Sequence, residues 1–334
     1  MNRWRIGVDV GGTKIAAGLV STTGLLDERL VLPTPATEGA SAILGTVQRA
    51  VETLRASLPP GDVVTGVGIG TGGVVDHARG VIVSATGLLH GWAGTRVADE
   101  LHARLGLPVA IDNDGNALAL GEHRFGAGRG HQDVLYVAVG TGIGGALVLG
   151  GELRRGAHHS AGELGHQPAP GAEGRPCSCG GRGHIEAAAS GPSITAAYRE
   201  RSGDTQVTDL RVVAARAAAG DGQAAGAIEE AATILGKVVA GLANTVDPEA
   251  VVIGGGVAQL GPILWPPLET GFRAGTLPPL ADVPVLPALL GPTAAIVGAA
   301  TLVADTGSAA ETGSDANTAA QRETAHRTSS KEHS

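Results

Sequence analysis

A short unit of two apolar strands joined by a glycine-rich turn occurs twice in this chain and limits its fold more than any other feature. The first copy, IGVDVGGTKIAAGLVS, covers residues 6–21, and the second, LYVAVGTGIGGALVLGG, covers residues 135–151. Glycine closes both turns, where a backbone must bend tightly or let a ligand approach closely. This duplication predicts two related α/β domains that face each other across a cleft.

The remaining apolar patterns agree with an α/β chain and suggest where it divides. Short apolar runs with strand character are interspersed with segments in which apolar residues recur at helical spacing. A strand is predicted to end and a helix to begin at residues 113–115, which places an N-terminal domain at 1–113 and a larger C-terminal domain at 114–291. Residues 306–334 are rich in Ser, Thr, Ala, Glu and His, and we expect them to form a disordered tail because they cannot bury enough apolar surface.

Composition and charge exclude several classes of protein. Of the 334 residues, 43% are hydrophobic, which is ample for a core and rules out wholesale disorder. The formal net charge of −8 argues against a protein that neutralises phosphate backbones, and the scarcity of aromatic residues argues against base-stacking surfaces. We therefore expect no nucleic-acid partner.

Cysteine usage and two apolar stretches bear on the cellular location. Cys177 and Cys179 are too close for an ordinary disulfide, which suggests a reducing compartment. The N-terminus enters a strand-like run without the apolar region of a signal peptide. Residues 134–151 and 283–304 are uncharged but are interrupted by glycines or prolines, unlike a spanning helix. We expect a soluble, cytoplasmic protein without membrane contacts.

Three glycine clusters follow apolar runs and are candidates for phosphate binding. In DVGGTK, Asp9–Lys14, backbone N–H groups of a tight turn could cradle phosphate oxygens, and Asp9 could hold Mg²⁺ directly or through water. A plain hairpin turn is the alternative. The cluster GTGIGG at residues 140–145 also satisfies the dinucleotide pattern G-x-G-x-x-G, but that pattern requires a following helix, and ALVL is typical of a strand. The third cluster, Gly254–Gly256, lies between a strand and a helix.

The segment DNDGN, residues 112–116, is predicted to join a strand to a helix. A carboxylate there would be held ionised by nearby helix N–H groups and could accept a proton from a substrate hydroxyl. The alternative is that Asp114 only caps the helix. Residue type alone does not decide between these two roles.

Four metal-ligand residue types lie within one short segment. His166, in the sequence E-x-x-H, is followed by Cys177, Cys179 and His184, and two thiolates with two imidazoles are the ligands of a closed tetrahedral zinc site. The intervening glycines allow the chain to wrap tightly. The alternative is two surface thiols with unrelated histidines.

In this order and spacing, the motifs resemble those of the ROK family of bacterial sugar kinases and repressors, over residues 6 to about 303. The resemblance implies an actin-like (ribonuclease H-like) fold of two domains with an interdomain cleft and a zinc-binding loop at 163–186. It also implies that a helix at about 292–305 rejoins the N-terminal domain. The motifs that carry it are DVGGTK at 9–14, DNDGNALALGE at 112–122, GTGIGGA at 140–146, AGELGH at 161–166, CSCGGRGHIEAAASG at 177–191 and IGGGV at 253–257.

The resemblance implies ATP as co-substrate, Mg²⁺ and a structural Zn²⁺, together with a role for each motif residue. Around ATP it places Asp9, Gly11, Gly12, Thr13, Lys14, Thr141, Gly142, Gly254, Gly255 and Gly256. Around the sugar it places Gly72, Asn113, Asp114, Glu163, His166 and Glu186, with Asp114 as the catalytic base. The implied zinc ligands are His166, Cys177, Cys179 and His184.

The sequence departs from the family pattern in two ways. His184 stands where the usual zinc segment has a third cysteine, so we expect a Cys₂His₂ site. Residues 70–76 (GTGGVVD) and 85–92 (ATGLLHGW) lack the Pro-Gly and the asparagine that many relatives carry there. Both segments are expected on the substrate side, so the identity of the sugar stays open.

The expected activity is phosphorylation of the exocyclic primary hydroxyl (6-type) of glucose or a close analogue. N-acetylmannosamine or another hexosamine is one alternative acceptor, and a glucose-like amino sugar or C7-cyclitol (7-hydroxyl) of specialised metabolism is another. A family repressor would need a DNA-binding module ahead of Ile6, where we expect none. A non-catalytic sugar sensor is disfavoured because Asp9, Asp114 and both phosphate turns are intact. A homodimer is expected from the resemblance alone.

Overall fold

The structure, a computed structural model, describes residues 1–303, which form an α/β fold. Its strands are β1 (Arg3–Val10), β2 (Lys14–Ser21), β3 (Leu26–Pro33), β4 (Val63–Thr71), β5 (Val74–Asp76), β6 (Val81–Ser84), β7 (Val109–Asn113), β8 (Val134–Val139), β9 (Ile143–Leu149), β10 (Glu152–Arg154), β11 (Ala250–Gly254) and β12 (Val285–Pro287). Its α-helices are α1 (Ala40–Ala56), α2 (Val97–Leu105), α3 (Asp114–Phe125), α4 (Glu186–Ala189), α5 (Gly191–Ser202), α6 (Leu210–Ala218), α7 (Gly222–Val246), α8 (Trp265–Gly275) and α9 (Ala294–Ala300).

Two five-stranded mixed sheets share one topology. Their strand orders are β3-β2-β1-β4-β7 and β10-β9-β8-β11-β12. In each sheet the first three strands are antiparallel neighbours and the last two join in parallel. The duplicated sequence unit supplies the hairpins β1–β2 and β8–β9. The duplication in the sequence therefore corresponds to a duplication of sheet topology.

One face of the first sheet packs against α1 and α2. Ile6, Val8 and Ile69 are fully buried in a cluster that includes Leu44 of α1 and Leu101 of α2. Strand β3 instead alternates between intermediate and exposed residues, as its position at the sheet edge allows. Strands covered on both faces need apolar residues on both, as in the buried segments IGV of β1 and VGIG of β4.

Helix α9 covers the other face of the first sheet at very short range. A Cβ at Gly7 would lie 1.8 Å from the carbonyl oxygen of Ile296, and one at Gly68 would lie 1.8 Å from that of Ala299. These contacts require glycine on β1 and β4, because any side chain there would displace the helix. Helix α9 therefore packs directly on β1 and β4.

The observed bounds of that helix are narrower than the predicted 292–305. It starts at Ala294, after a 3₁₀ turn at Gly291–Thr293, and it ends at Ala300. The hydroxyl of Thr301 donates to the carbonyl of Gly298, which terminates the helix. The end of the predicted helix and the predicted tail at 306–334 lie outside the described residues, and the proposed division at residue 113 stays a prediction.

The second sheet is backed by a close helix pair, α7 and α8. A Cβ at Gly236 would lie 2.1 Å from the carbonyl oxygen of Leu268, and one at Gly271 would lie 2.4 Å from that of Thr233. Glycine on both helices therefore sets their separation. No helix among residues 1–303 combines the length and apolarity needed to cross a membrane, and residues 134–149 form the hairpin β8–β9 instead.

Candidate active site

A cleft of about 630 Å³ brings together residues from both sheets. It contains members of all three glycine clusters and of the DNDGN segment. The predicted site residues that line it are Asp9, Lys14, Asp114, Thr141, Gly142, Glu186, Gly255 and Gly256. The predicted residues that do not line this cavity are Gly11, Gly12, Thr13, Gly72, Asn113, Glu163, His166, Cys177, Cys179, His184 and Gly254.

The first glycine hairpin, residues 9–14, connects β1 to β2. The Gly11 N–H donates to the carbonyl of Lys14 at 3.0 Å, which closes the turn. Thr34 fixes the turn from the neighbouring strand, since its hydroxyl donates to the carbonyl of Gly11 at 2.7 Å and its N–H donates to that of Thr13 at 3.1 Å. The turn is thus held on β3 while Asp9 and Lys14 face the cleft.

The second glycine hairpin, residues 140–142, connects β8 to β9. A strand follows it, so the dinucleotide reading is excluded, as the sequence indicated. A Cβ at Gly142 would lie 2.6 Å from Oε2 of Glu186. Glycine at this position therefore lets the Glu186 carboxylate reach the hairpin, where it accepts the Ile143 N–H at 2.9 Å.

At the start of α3, the residue that caps the helix is Asn113 and not Asp114. Asn113 is the N-cap residue, and its Oδ1 accepts the Gly115 N–H at 2.8 Å. Its Nδ2 donates to the carbonyl of Gly73 at 3.0 Å, which ties the helix start to the β4–β5 turn. Asp114 also receives the Gly115 N–H, at 2.9 Å, but its side chain opens into the cleft. The helix is capped without Asp114, which is free to act on a ligand.

Three carboxyl groups around the cleft have pKa values above their ordinary range. Burial and the neighbouring Asp114 carboxylate raise the pKa of Asp9 to about 6, although Lys14 opposes this. Asp114 lines the cleft, and desolvation by the surrounding protein raises its pKa. Burial, with the carboxylates of Asp114 and Glu186, raises the pKa of Glu163. Like charges held close in a confined cleft are typical of catalytic and cation-binding sites.

A loop after β10 gathers the four predicted metal ligands. One ligand atom from each of His166, Cys177, Cys179 and His184 lies within 4.8 Å of the others. Sγ of Cys177 is 3.6 Å from Nδ1 of His166, and Sγ of Cys179 is 3.4 Å from Nδ1 of His184. Tetrahedral zinc with ordinary Zn–S and Zn–N bond lengths needs S···N separations of about 3.5 Å. The donor set and its spacing therefore fit zinc.

His166 also brings the same loop close to Glu163. Its Nδ1 faces the thiol of Cys177, whereas its Nε2 lies 3.8 Å from Oε2 of Glu163. One imidazole thus stands between the ligand cluster and the Glu163 carboxylate, whose pKa is raised by the charge of Asp114 among other causes.

A second cavity of about 760 Å³ adjoins the cleft. Its walls come from α5, α6 and the 3₁₀ segment after β11, and it was not predicted from the sequence. It shares Gly140, Thr141, Gly256 and Gln259 with the cleft. Gln259 could have been suspected because it follows IGGGV closely. The lining residues outside the family motifs are Pro192, Thr195, Thr208, Asp209, Leu210, Arg211, Ala214, Gln259 and Leu260 in this cavity, and Ala138, Gly291, Pro292 and Ala295 in the cleft.

Comparison with known proteins gives consistent matches. A model of the ROK family matches residues 5–306. The chain is 34% identical to a glucokinase of Streptomyces coelicolor over 320 residues, 90% of this chain and 97% of the relative. It is 32% identical to an N-acetylmannosamine kinase of Shigella boydii over 265 residues, 75% of this chain and 82% of the relative. Among solved structures, a ROK family glucokinase from Streptomyces griseus in complex with glucose and AMPPNP is similar with a TM-score of 0.78 and 35% identity, covering 90% of this chain and 99% of that one.

Proposed function

The chain belongs to the ROK family, and we propose that it is an ATP-dependent sugar kinase that phosphorylates the exocyclic primary hydroxyl of glucose or a close analogue. Its α/β fold with mixed sheets matches the actin-like ATPase fold of ROK glucokinase structures. The observation that carries the proposal is that two glycine hairpins and the carboxylate of Asp114 meet at one cleft. Asp114 is available there because Asn113 caps the helix. The glucokinase relatives support glucose as the default acceptor.

ATP would lie along the cleft and into the adjoining cavity. The hairpins at residues 9–14 and 140–142 would face its phosphates with backbone N–H groups, and Lys14 would add a positive charge. Gly255 has a φ of 90° and a Cβ there would lie 2.3 Å from the carbonyl oxygen of Val139, so the turn after β11 can be this tight only with glycine. The cavity beyond it is large enough for the nucleoside.

Mg²⁺ would be held at Asp9, whose carboxylate faces the cleft beside Asp114. A divalent cation there supplies the positive charge that phosphoryl transfer requires. Asp9 and Asp114 repel each other in the absence of a cation, as the raised pKa of Asp9 indicates. The carboxyl-rich cleft is therefore matched to a cation bound with the nucleotide rather than to ATP alone.

Asp114 would orient the sugar hydroxyl and accept its proton. Phosphoryl transfer depends mainly on in-line positioning and charge neutralisation, so a single base at the end of a fixed helix is enough. Asn113, together with Glu163, His166 and Glu186, would hold other hydroxyls of the sugar, with Gly72 in the neighbouring turn. Glu163 lies near enough to Asp114 for their charges to interact, which supports one shared sugar subsite.

The zinc ligands would be His166, Cys177, Cys179 and His184. A zinc ion bound by four protein ligands supplies structural cross-linking and leaves no open position for chemistry. Its role here would be to fix the loop that carries Glu163 and His166.

A hexosamine acceptor is the second candidate, because an N-acetylmannosamine kinase is among the relatives. A hexosamine differs from glucose in a substituent on the ring and not at the phosphorylated hydroxyl. The same base and the same hairpins would therefore serve either sugar. The departures at residues 70–76 and 85–92 are expected on the substrate side, where they would distinguish such acceptors.

Steady-state ADP release over a panel of acceptors tests the proposal. The panel should contain glucose, mannose, glucosamine, N-acetylglucosamine, N-acetylmannosamine and a C7-cyclitol, each with ATP and Mg²⁺. We expect the highest kcat/KM for glucose or one close analogue, with NMR placing the phosphate on the exocyclic carbon. Sugar binding without ADP release from any acceptor would instead support a sensor and refute the kinase.

A further inference from the structure

Arg155 and Asp112 form an ion pair that connects the two sheets behind the cleft. Nε of Arg155 donates to Oδ2 of Asp112 at 2.7 Å, and the Asp112 side chain is only 1% exposed. Asp112 lies on β7 of the first sheet, whereas Arg155 directly follows β10 of the second. His77 is also near, at 3.8 Å from Oδ2, but its Nδ1 is 2.7 Å from the carbonyl of Ile111 and so is engaged with the backbone.

On one side, Asp112 holds the turn that presents Asp114. Its Oδ1 accepts the backbone N–H of Asn113 at 2.8 Å and the side-chain amide of Asn116 at 2.7 Å. Asn113 in turn caps α3. The Asp112 carboxylate therefore binds the chain on both sides of Asp114, through the backbone of Asn113 and the side chain of Asn116.

On the other side, Arg155 begins the loop that ends at Glu163. Its carbonyl accepts the Ala161 N–H at 3.1 Å, which closes the loop. Gly162 follows with a φ of 92°, and a Cβ there would lie 2.6 Å from the carbonyl oxygen of Gly145, so the loop is seated on β9. Glu163 is the next residue. A loop that is closed by this hydrogen bond and packed on β9 thus links the Arg155 backbone to Glu163 and His166.

We infer that the Arg155–Asp112 pair sets the spacing between the two halves of the sugar subsite, which makes Arg155 a positioning residue for the sugar and not for ATP. One half is Asn113 and Asp114, and the other is Glu163 and His166. The inference rests on the proposed function. A buried ion pair is a poor source of net stability, because desolvation offsets the attraction, so its value at this place lies in the geometry that it imposes.

Matched arginine variants separate this role from general structural support. Arg155→Met removes the pair, and Arg155→Lys keeps a cation that can still reach the carboxylate. Arg154→Met is the control, because Arg154 is the adjacent residue and pairs locally with Glu152 and the carbonyl of Leu149. Steady-state kinetics with glucose and ATP varied in turn, and calorimetric titration with glucose alone, give the readouts.

We expect Arg155→Met to lower kcat/KM for glucose by about tenfold or more, since small misplacements of reacting groups are costly. The KM for ATP should stay within about twofold of the wild-type value, as expected when only one substrate's binding is disturbed. Arg155→Lys should recover part of the loss, and Arg154→Met should behave as the wild type. In the Asp112→Asn background, Arg155→Met should lower kcat/KM for glucose much less than it does in the wild type, because the two residues act as one unit.

The inference would be overturned if Arg155→Met impaired the kinetic parameters for glucose and for ATP equally, or if folded Arg155→Met showed no loss in kcat/KM for glucose. Either result leaves the proposed function intact as long as the wild type phosphorylates sugar. If Arg155→Met does not fold, Arg155→Lys is used instead, and its loss in kcat/KM for glucose is compared with its change in KM for ATP in the same way. A wild-type protein that phosphorylates no sugar of the panel would overturn the proposed function, and this inference with it.

Discussion

The Glu186 carboxylate accepts the backbone N–H of Ile143 at 2.9 Å through Oε2 and the hydroxyl of Ser178 at 2.5 Å through Oε1. One side chain thereby joins the second glycine hairpin to the loop of metal ligands. Gly142 makes this possible, because a Cβ there would lie 2.6 Å from Oε2. The hairpin that we propose for phosphate binding and the loop that we propose for sugar binding therefore share a support.

Glu186→Ala should weaken the use of both substrates. The Ile143 N–H loses its acceptor, so we expect kcat/KM for ATP to fall by about tenfold, in addition to a loss in sugar binding. Glu186→Gln keeps an acceptor for Ile143 and should lose less toward ATP. Ser178→Ala, which removes only the other partner of the carboxylate, is the control. Unchanged ATP kinetics in Glu186→Ala would show that Glu186 serves the sugar alone.

Asp114→Asn should abolish most turnover without unfolding the protein. An amide cannot accept the proton, so kcat should fall by about 100-fold or more, in line with general-base contributions. Because Asn113 supplies the cap, the thermal unfolding midpoint should not drop. Asp99→Asn, an exposed carboxylate in the first turn of α2, is the matched control. Turnover close to that of the wild type in Asp114→Asn would remove Asp114 from the base role.

The sheets and the glycine hairpins could be predicted from the sequence because their signals are local. Apolar runs broken by glycine specify β1–β2 and β8–β9, and the strand after Gly142 followed from the apolar residues ALVL. The ligand cluster could be predicted for the same reason, since all four side chains lie on one short segment.

The features that could not be predicted depend on contacts between distant segments. Arg155 carries no motif, and its partner Asp112 is 43 residues away. The walls of the second cavity come from helices that have no sequence signature of nucleotide binding. Asn113 and Asp114 are both good cap residues, so only the three-dimensional structure shows that Asn113 takes that role.

Asp9→Asn should stabilise the ligand-free protein at neutral pH. The folded structure raises the pKa of Asp9 from 3.8 to about 6. Ionisation of Asp9 therefore destabilises the folded state increasingly as the pH rises above 3.8 and fully above about pH 6, whereas it has almost no effect below pH 3.8. At 1.36 kcal/mol per pKa unit, the upper limit is about 3 kcal/mol at pH 7.5, with a far smaller gain at pH 4.

Urea unfolding of both proteins at the two pH values measures this difference. Asp27→Asn, which removes an exposed carboxylate from the edge strand of the same sheet, controls for the change in net charge. The same Asp9→Asn protein should require more Mg²⁺ for activity, because a carboxylate ligand is lost. A stability gain that is equal at pH 4 and pH 7.5 would contradict the assignment.

Purified protein should contain about one zinc ion per chain, with the four ligands deprotonated near neutral pH. Cys179→Ser should lose the metal, lower the thermal unfolding midpoint and raise KM for the sugar more than for ATP, because the loop holding Glu163 and His166 loosens. Ser178→Ala lies in the same loop but removes no ligand, and it should retain zinc. Metal content is measured by elemental analysis after dialysis, with and without a chelator. Less than about half an equivalent in the wild type would contradict a tight Cys₂His₂ site, and unchanged sugar kinetics in metal-free protein would separate the metal from sugar recognition.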